Sequence, residues 1–301
     1  MDDYWICQDS IIFKPKFNKP LDNYVKSMKN CKKLIFSNYT DLEICIETNN
    51  EYLSNYDNKY KFSKFDKPLE NSLSNLINLT HLTFSYEFNQ PLANSLSNLI
   101  NLTHLNFSYY FNQPLLNSLL NLKSLTHLTF DTKFNKLLDN SLSNLTNLTN
   151  LTFGFYFNCP LENSLLNINL LTHLTFGSKF NQSLENCLSN LTNLTYLELG
   201  YYFNQPLELP SNIKILSIDC NNLFLVENLP NSIEELYLGS LFNLELNNLP
   251  NSIKIIEFNT DSEYNKELNN LPKFLELLEL PKNYLIPINN INLRCKISCI
   301  S

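Results

Sequence analysis

The sequence predicts an α/β solenoid: a curved stack of parallel strands, backed by short helical or 3-10 outer turns that become extended toward the C-terminus. Three observations predict it. A Phe-Asn pair recurs at Phe88, Phe111, Phe134, Phe157, Phe180 and Phe203 at a constant interval of 23 residues, and Phe65-Asp66 precedes the series in phase. A fixed period of this size marks coils stacked along one axis. Each copy holds one stretch of strand period followed by one of helical spacing. After Phe203 the unit shortens, with Leu-Pro pairs at Leu209, Leu229, Leu249 and Leu271, spaced by 20, 20 and 22 residues.

The elements follow in chain order within one solenoid domain spanning 1–301. Residues 1–64 are expected to form an N-terminal cap and degenerate repeats. Ile11-x-Phe13 reads as the first strand, with Trp5 available to cover its open end, and Leu34-Ile35-Phe36 as the next. Residues 37–62 read as a degenerate coil whose strand returns at Tyr60-Lys61-Phe62. From 65 to 207 the repeats are regular. Leu82 and Phe84 alternate with His81, Thr83 and Ser85, which is strand period, whereas Leu92, Leu96 and Leu99 are spaced by four and three. From 208 to 288 the outer segment shortens and gains Pro, so it is expected to be extended. Residues 289–301 form the C-terminal cap, with a closing strand within 293–300. One strand per coil gives about 13–14 coils.

Composition narrows the function. Net charge is −7, and the chain has a single Arg, Arg294. Nucleic-acid binding needs clustered cations, so it is not expected. Most of the negative charge falls in residues 190–301, with 13 Asp+Glu against 7 Lys+Arg. No apolar run is long enough for a spanning helix, and Met1-Asp2-Asp3-Tyr4-Trp5 lacks a signal-peptide pattern. The expected location is cytoplasmic, with the eight Cys as buried thiols. A monomer without cofactors or membrane contact is expected.

Repeats turn residues into columns. The Phe column reads as core plugs. Asn89 and its copies, and a second series through Asn71, Asn94, Asn117, Asn140, Asn163 and Asn186, read as hydrogen-bonding ladders that satisfy loop amides. All four Gly share one column at the strand exit, at Gly154, Gly177, Gly200 and Gly239, where small or turn-forming residues suit a bend. No nucleophile, base and orienting acid occur in a fixed pattern, so no catalytic residues are assigned.

The "FNQPL" strings at 88, 111 and 203 and the "LPNSI" strings at 229 and 249 resemble the FNIP-repeat proteins. These are leucine-rich-repeat relatives found in social amoebae and in giant viruses that infect amoebae, and the resemblance covers nearly the whole chain. It implies a leucine-rich-repeat fold and, if the protein is viral, residence in host cytoplasm. Some members carry an N-terminal F-box that makes them ubiquitin-ligase adaptors; the segment before Ile11 is too short to hold one. The "NLTNLTxL" block is also similar to internalin-type repeats.

The expected function is a non-enzymatic protein-interaction scaffold that binds a protein or peptide on its concave strand face. Three groups of residues are candidates for contact. His81, His104, His127 and His173 form one outward column, where neighbouring rings could bridge zinc or copper. Tyr86, Tyr109, Tyr110, Tyr156, Tyr201 and Tyr202 crowd the strand exits, and Tyr is favoured at hot spots. In the last third, Tyr237, Glu257 and Glu279 lie beside outward Ile215, Ile255 and Leu277, a pattern suited to a basic-hydrophobic segment. One alternative is a substrate-recognition adaptor in ubiquitination, by family analogy. Another is a parallel β-helix carbohydrate-active enzyme, which would carry two or three strand stretches per coil rather than one.

Overall fold

A computed structural model describes residues 3–36, 63–288 and 295–299. The chain is a solenoid whose coils each contribute one short strand to a parallel ladder. One strand per coil is the leucine-rich-repeat arrangement, so the basis for a β-helix enzyme is gone. The chain divides into two compact units, Met1–Gly154 and Phe155–Ser301.

In the first unit, β1 (Tyr4–Cys7) pairs antiparallel with β2 (Ser10–Phe13). It caps the stack as a hairpin, and Lys14 Nζ lies 5.2 Å from the Trp5 ring centroid. Then β3 (Lys33–Phe36), β4 (His81–Thr83), β5 (His104–Phe107), β6 (His127–Phe130) and β7 (Asn150–Thr152) follow in parallel register. Leu34 pairs directly with Leu82, so β4 is the parallel neighbour of β3, and the degenerate coil expected over residues 37–62 lies outside the described residues. The strand expected at Tyr60-Lys61-Phe62 lies outside the described residues. The coil that begins with β3 is completed by Phe65, which stacks on Phe36 at 4.2 Å as Phe88 stacks on Phe84 at 4.3 Å.

The second unit holds β8 (His173–Thr175), β9 (Tyr196–Leu199), β10 (Ile215–Ile218), β11 (Glu235–Leu238), β12 (Ile255–Phe258), β13 (Leu277–Leu280) and β14 (Lys296–Cys299). All pair parallel with their sequence neighbours, including the expected closing strand β14.

Strand alternation decides the core. Leu82, Leu105, Leu128 and their partners are buried, and the residues between them are not. In several coils a strand Phe stacks on the plug Phe within 4.0–4.3 Å, as in Phe107–Phe111 and Phe176–Phe180. In the first unit, ring spacing between coils widens from 4.2 Å at the His column to 5.3 Å at Phe84–Phe107 and 6.1 Å at Phe88–Phe111. The coils of that unit therefore splay away from the His face, because the side chains and turns behind the strands are bulkier than the strands.

The outer segments of the regular coils are 3-10 in type but not continuous. Single i→i−3 bonds alternate along the chain, as in Ser95 N→Leu92 O, Leu99 N→Leu96 O and Leu102 N→Leu99 O. Inside the first of these turns a non-glycine residue adopts left-handed backbone, at Glu70, Ala93, Leu116, Asp139 and Glu162, and one position later at Asn186. The Leu-Pro segments are extended as expected, with one exception. Residues Leu223–Glu227 form an α-helix capped by Asn222, whose side chain accepts from Leu225 N at 3.2 Å. Leu225 and Val226 of that helix are buried.

The first Asn ladder is present. Asn112 N donates to Asn89 Oδ1 at 2.9 Å and Asn204 N to Asn181 Oδ1 at 2.9 Å. It extends back to Asn18, which accepts from Asp66 N at 3.0 Å. Gln90 and Gln113 reinforce it from the next position. The second Asn series is not a ladder: Asn71, Asn94, Asn117 and Asn140 are exposed. The buried column is the adjacent Ser72, Ser95, Ser118, Ser141 and Ser164, in which Ser141 Oγ donates to Leu116 O at 3.0 Å. A hydroxyl is small enough to bond the previous coil from inside without opening the wall. The glycine column opens the turn that leaves the strand, as in Phe180 N→Gly177 O and Phe203 N→Gly200 O, and close approach adds a second constraint. A Cβ on Gly154 would lie 2.3 Å from the Asp131 carbonyl carbon of the preceding coil. The thiols are not uniformly buried: Cys31, Cys187 and Cys220 are, whereas Cys7, Cys159 and Cys295 are half-exposed.

Candidate functional site

Along the repeat strands residues alternate inward and outward, so the outward residues form two rows across each ladder. In the first unit one row runs Lys33, His81, His104, His127, Asn150. The three imidazoles stack nearly parallel, with centroids 4.2 Å apart and interplanar angles of 9–10°. Each ring is held by the threonine before it. Thr103 Oγ1 donates to Thr80 O at 3.0 Å and lies 2.9 Å from His104 Nδ1. Thr126 repeats the pattern with Thr103 O and His127. A hydroxyl has one proton. With that proton on the carbonyl, Nδ1 is the donor, which makes Nε2 the acceptor nitrogen of the neutral ring. Burial, then the neighbouring His81 and His127, push His104 down to about 4. Burial, Lys33 and His127 lower His81 in the same sense.

This stacking bears on the expected zinc or copper bridge. Parallel rings hold their Nε2 lone pairs parallel, whereas a shared ion needs them to converge. Among the described residues no group of three or more His, Cys, Asp or Glu is placed to hold a metal. In the second unit His173 is exposed and stacks on Tyr196 at 5.4 Å.

The strand exits carry the aromatic residues. Tyr86 stacks on Tyr109 at 4.6 Å, with Tyr110 edge-on to both. In the second unit Phe155–Tyr156 and Tyr201–Tyr202 form T-shaped pairs. Tyr110, Phe155, Tyr156, Tyr201 and Tyr202 are 38–47% exposed. Sequence reasoning missed the lysines between the pairs. Lys179 Nζ sits 3.9 Å from the Tyr202 ring and 5.9 Å from Phe155, and Lys133 Nζ lies 5.7 Å from Tyr109. Aromatic coils alternate with Thr132-Lys133 and Ser178-Lys179, a 46-residue super-period readable in the sequence. These lysines hold the rings by cation–π contact.

The second unit's strand face differs from the first. One outward row runs Tyr196, Ile215, Glu235, Ile255, Leu277; the other runs Glu198, Ser217, Tyr237, Glu257, Glu279. All are half-buried, and the residues between them are buried, so Ile215, Ile255 and Leu277 do face outward. Tyr196 OH donates to Glu198 Oε2 at 2.8 Å, Tyr237 OH to Glu235 Oε2 at 2.8 Å, and Ser298 Oγ to Glu279 Oε1 at 3.1 Å. Burial, then the bonded Glu235, push Tyr237 up to about 12. Burial, then the neighbouring Glu279, raise Glu257.

The geometry defines a leucine-rich-repeat protein. The FNIP Repeat family model matches residues 180–221, 203–241 and 220–261, so the chain carries FNIP repeats. It is similar to CroV588, a circular LRR protein from a giant virus, with 28% identity and a TM-score of 0.63. That match covers 94% of this chain and 45% of CroV588, so the chain spans less than half of that relative. An internalin (inlF) from Listeria monocytogenes matches with 16% identity, 97% and 86% coverage and a TM-score of 0.60. TLR13 in complex with ssRNA13 matches with 16% identity, 93% and 48% coverage and a TM-score of 0.53. No curated protein matches the sequence. Among the described residues, no helix is long and apolar enough to cross a membrane.

Proposed function

We propose that the protein is a non-enzymatic interaction scaffold whose outward strand rows and adjoining aromatic rim bind a protein or peptide. One observation carries this reading. Along every ladder the inward residues are buried, while the outward rows present half-exposed rings, aliphatic groups and carboxylates in repeated columns. Such rows are pre-ordered by the coils beneath them, so binding costs little conformational entropy. The rim tyrosines supply large rigid contact area. The neighbour TLR13 is seen with RNA, but here the second unit's rows carry Glu198, Glu235, Glu257 and Glu279. That sign favours a polypeptide over a phosphate backbone.

Affinity capture from cell lysate tests the reading by comparing wild type with a Tyr109→Ser/Tyr110→Ser/Tyr201→Ser variant. The wild type is expected to retain specific proteins that the variant loses. Equal recovery by both would remove the rim from the contact surface. Recovery no better than bare resin would remove the scaffold.

A further inference from the structure

We propose that the outward face of β9–β13 receives one extended segment in which basic residues alternate with aliphatic ones, its central cation seated on Glu257. This rests on the scaffold reading and specifies the partner's chemistry for one face.

The face is two residues wide and five strands long. At about 4.8 Å per strand it spans roughly 19 Å, the reach of about six extended residues. Its composition is mixed in a regular way. Ile255 lies two residues before Glu257 on β12, so both point the same way, and Leu277 is beside Ile255 on β13. Tyr237 and Glu279 flank Glu257 in its own row. A carboxylate thus stands beside apolar side chains that line the next row.

The carboxylates are not equivalent. Glu198, Glu235 and Glu279 each accept a hydroxyl hydrogen bond. Glu257 accepts no hydrogen bond and joins no ion pair among the described residues. It is half-buried, and its carboxyl is raised by that burial and by Glu279. A partly desolvated carboxylate without a cation is unfavourable on its own.

The chain's own cations on these strands are committed elsewhere. One position before the outward row, Lys214 and Lys254 both clasp Glu234, at 2.9 and 2.7 Å. The hydrogen bond from Lys254, then that from Lys214, hold Glu234 down to about 2. Glu234 at the strand entry is thus neutralised internally, whereas Glu257 on the face is not. Lys296 stands at the end of the row beyond Leu277. Charge complementarity therefore selects the occupant: Lys or Arg heads over the Glu257 row, with aliphatic residues on Ile215, Ile255 and Leu277. A polyanion or an acidic segment has the wrong sign.

The test is fluorescence anisotropy with the whole chain and a labelled hexapeptide of alternating Lys and Ile, flanked by Gly-Ser. Glu-Ile and Lys-Ser hexapeptides serve as comparisons. The Lys-Ile peptide is expected to bind and to weaken as salt is raised. The Lys-Ser peptide should bind at least tenfold more weakly, and the Glu-Ile peptide should not bind. Glu257→Gln should weaken Lys-Ile binding at least tenfold. Glu279→Gln, assayed beside it with circular dichroism on both, should weaken it less. No binding of the Lys-Ile peptide, or equal binding to wild type and Glu257→Gln, overturns the proposal. The scaffold reading would survive that result if the lysate proteins were still lost by the rim variant.

Discussion

Phe36 and Phe65 stack at 4.2 Å with an interplanar angle of 15°, although they lie 29 residues apart in sequence. The equivalent pairs Phe84–Phe88 and Phe107–Phe111 are four residues apart. Phe65 therefore fills, for the β3 coil, the place that Phe88 fills beside Phe84.

Excising residues 38–62 would leave Ser37-Ser63-Lys64 between the two rings, as Ser85-Tyr86-Glu87 lie between Phe84 and Phe88. Shortening the connection between the two rings from 28 residues to 3 lowers its closure cost by about 2 kcal/mol. The excised chain is expected to fold and to melt within a few degrees of wild type, as followed by circular dichroism. Loss of cooperative melting would show that the excised residues are needed for packing.

Leu116 has a φ of 48° and is 71% exposed. A leucine held in left-handed backbone carries a steric cost of about 1–2 kcal/mol, which glycine avoids at some expense in unfolded-state entropy. Leu116→Gly is expected to stabilise by about 0.5–1 kcal/mol in urea denaturation. Leu119→Gly, at a fully buried site nearby, should destabilise strongly.

Tyr264 takes the place of Phe in the plug column, stacked between Phe242 and Tyr284. Its ring is 3% exposed and its hydroxyl is buried without a partner among the described residues. An unsatisfied buried hydroxyl costs about 1–3 kcal/mol. Tyr264→Phe should raise stability by about 1 kcal/mol in the same denaturation measurement. A loss would mean that the hydroxyl has a partner.

The His column should make stability depend on pH. His104 is pushed below the ordinary value of 6.5 to about 4, so between those values the unfolded chain binds protons that the native chain refuses. Stability then falls as pH falls from 6.5 toward 4 and is fully retained above 6.5. Glu257 acts in the opposite sense, because its carboxyl is raised in the native chain. His104→Asn, which copies Asn150 of the same column, isolates the histidine's contribution. The urea midpoint of this variant should fall less than that of wild type when the pH is lowered from about 7 to about 5. Parallel curves would sink the assignment.

The period, the strand positions, the plugs and the first ladder were legible in the sequence because repetition aligns like residues, and strand alternation separates inward from outward. His81, Tyr110 and Glu257 could be placed outward for the same reason. Period alone could not say which of two neighbouring polar columns turns inward. Asn71 and Ser72 both recur every 23 residues, and only the wall's geometry gives the buried site to the smaller hydroxyl. It could not show that β3 pairs directly with β4, because that register depends on distant residues meeting. Nor could it show that the imidazoles stack face to face, or that Lys214 and Lys254 turn to Glu234 and leave Glu257 without a cation. Sequence by itself determined the coil, since backbone periodicity and apolar burial are local and repeated. Tertiary structure decided the chemistry of each face, since pairing among side chains depends on distances between coils that no single repeat contains.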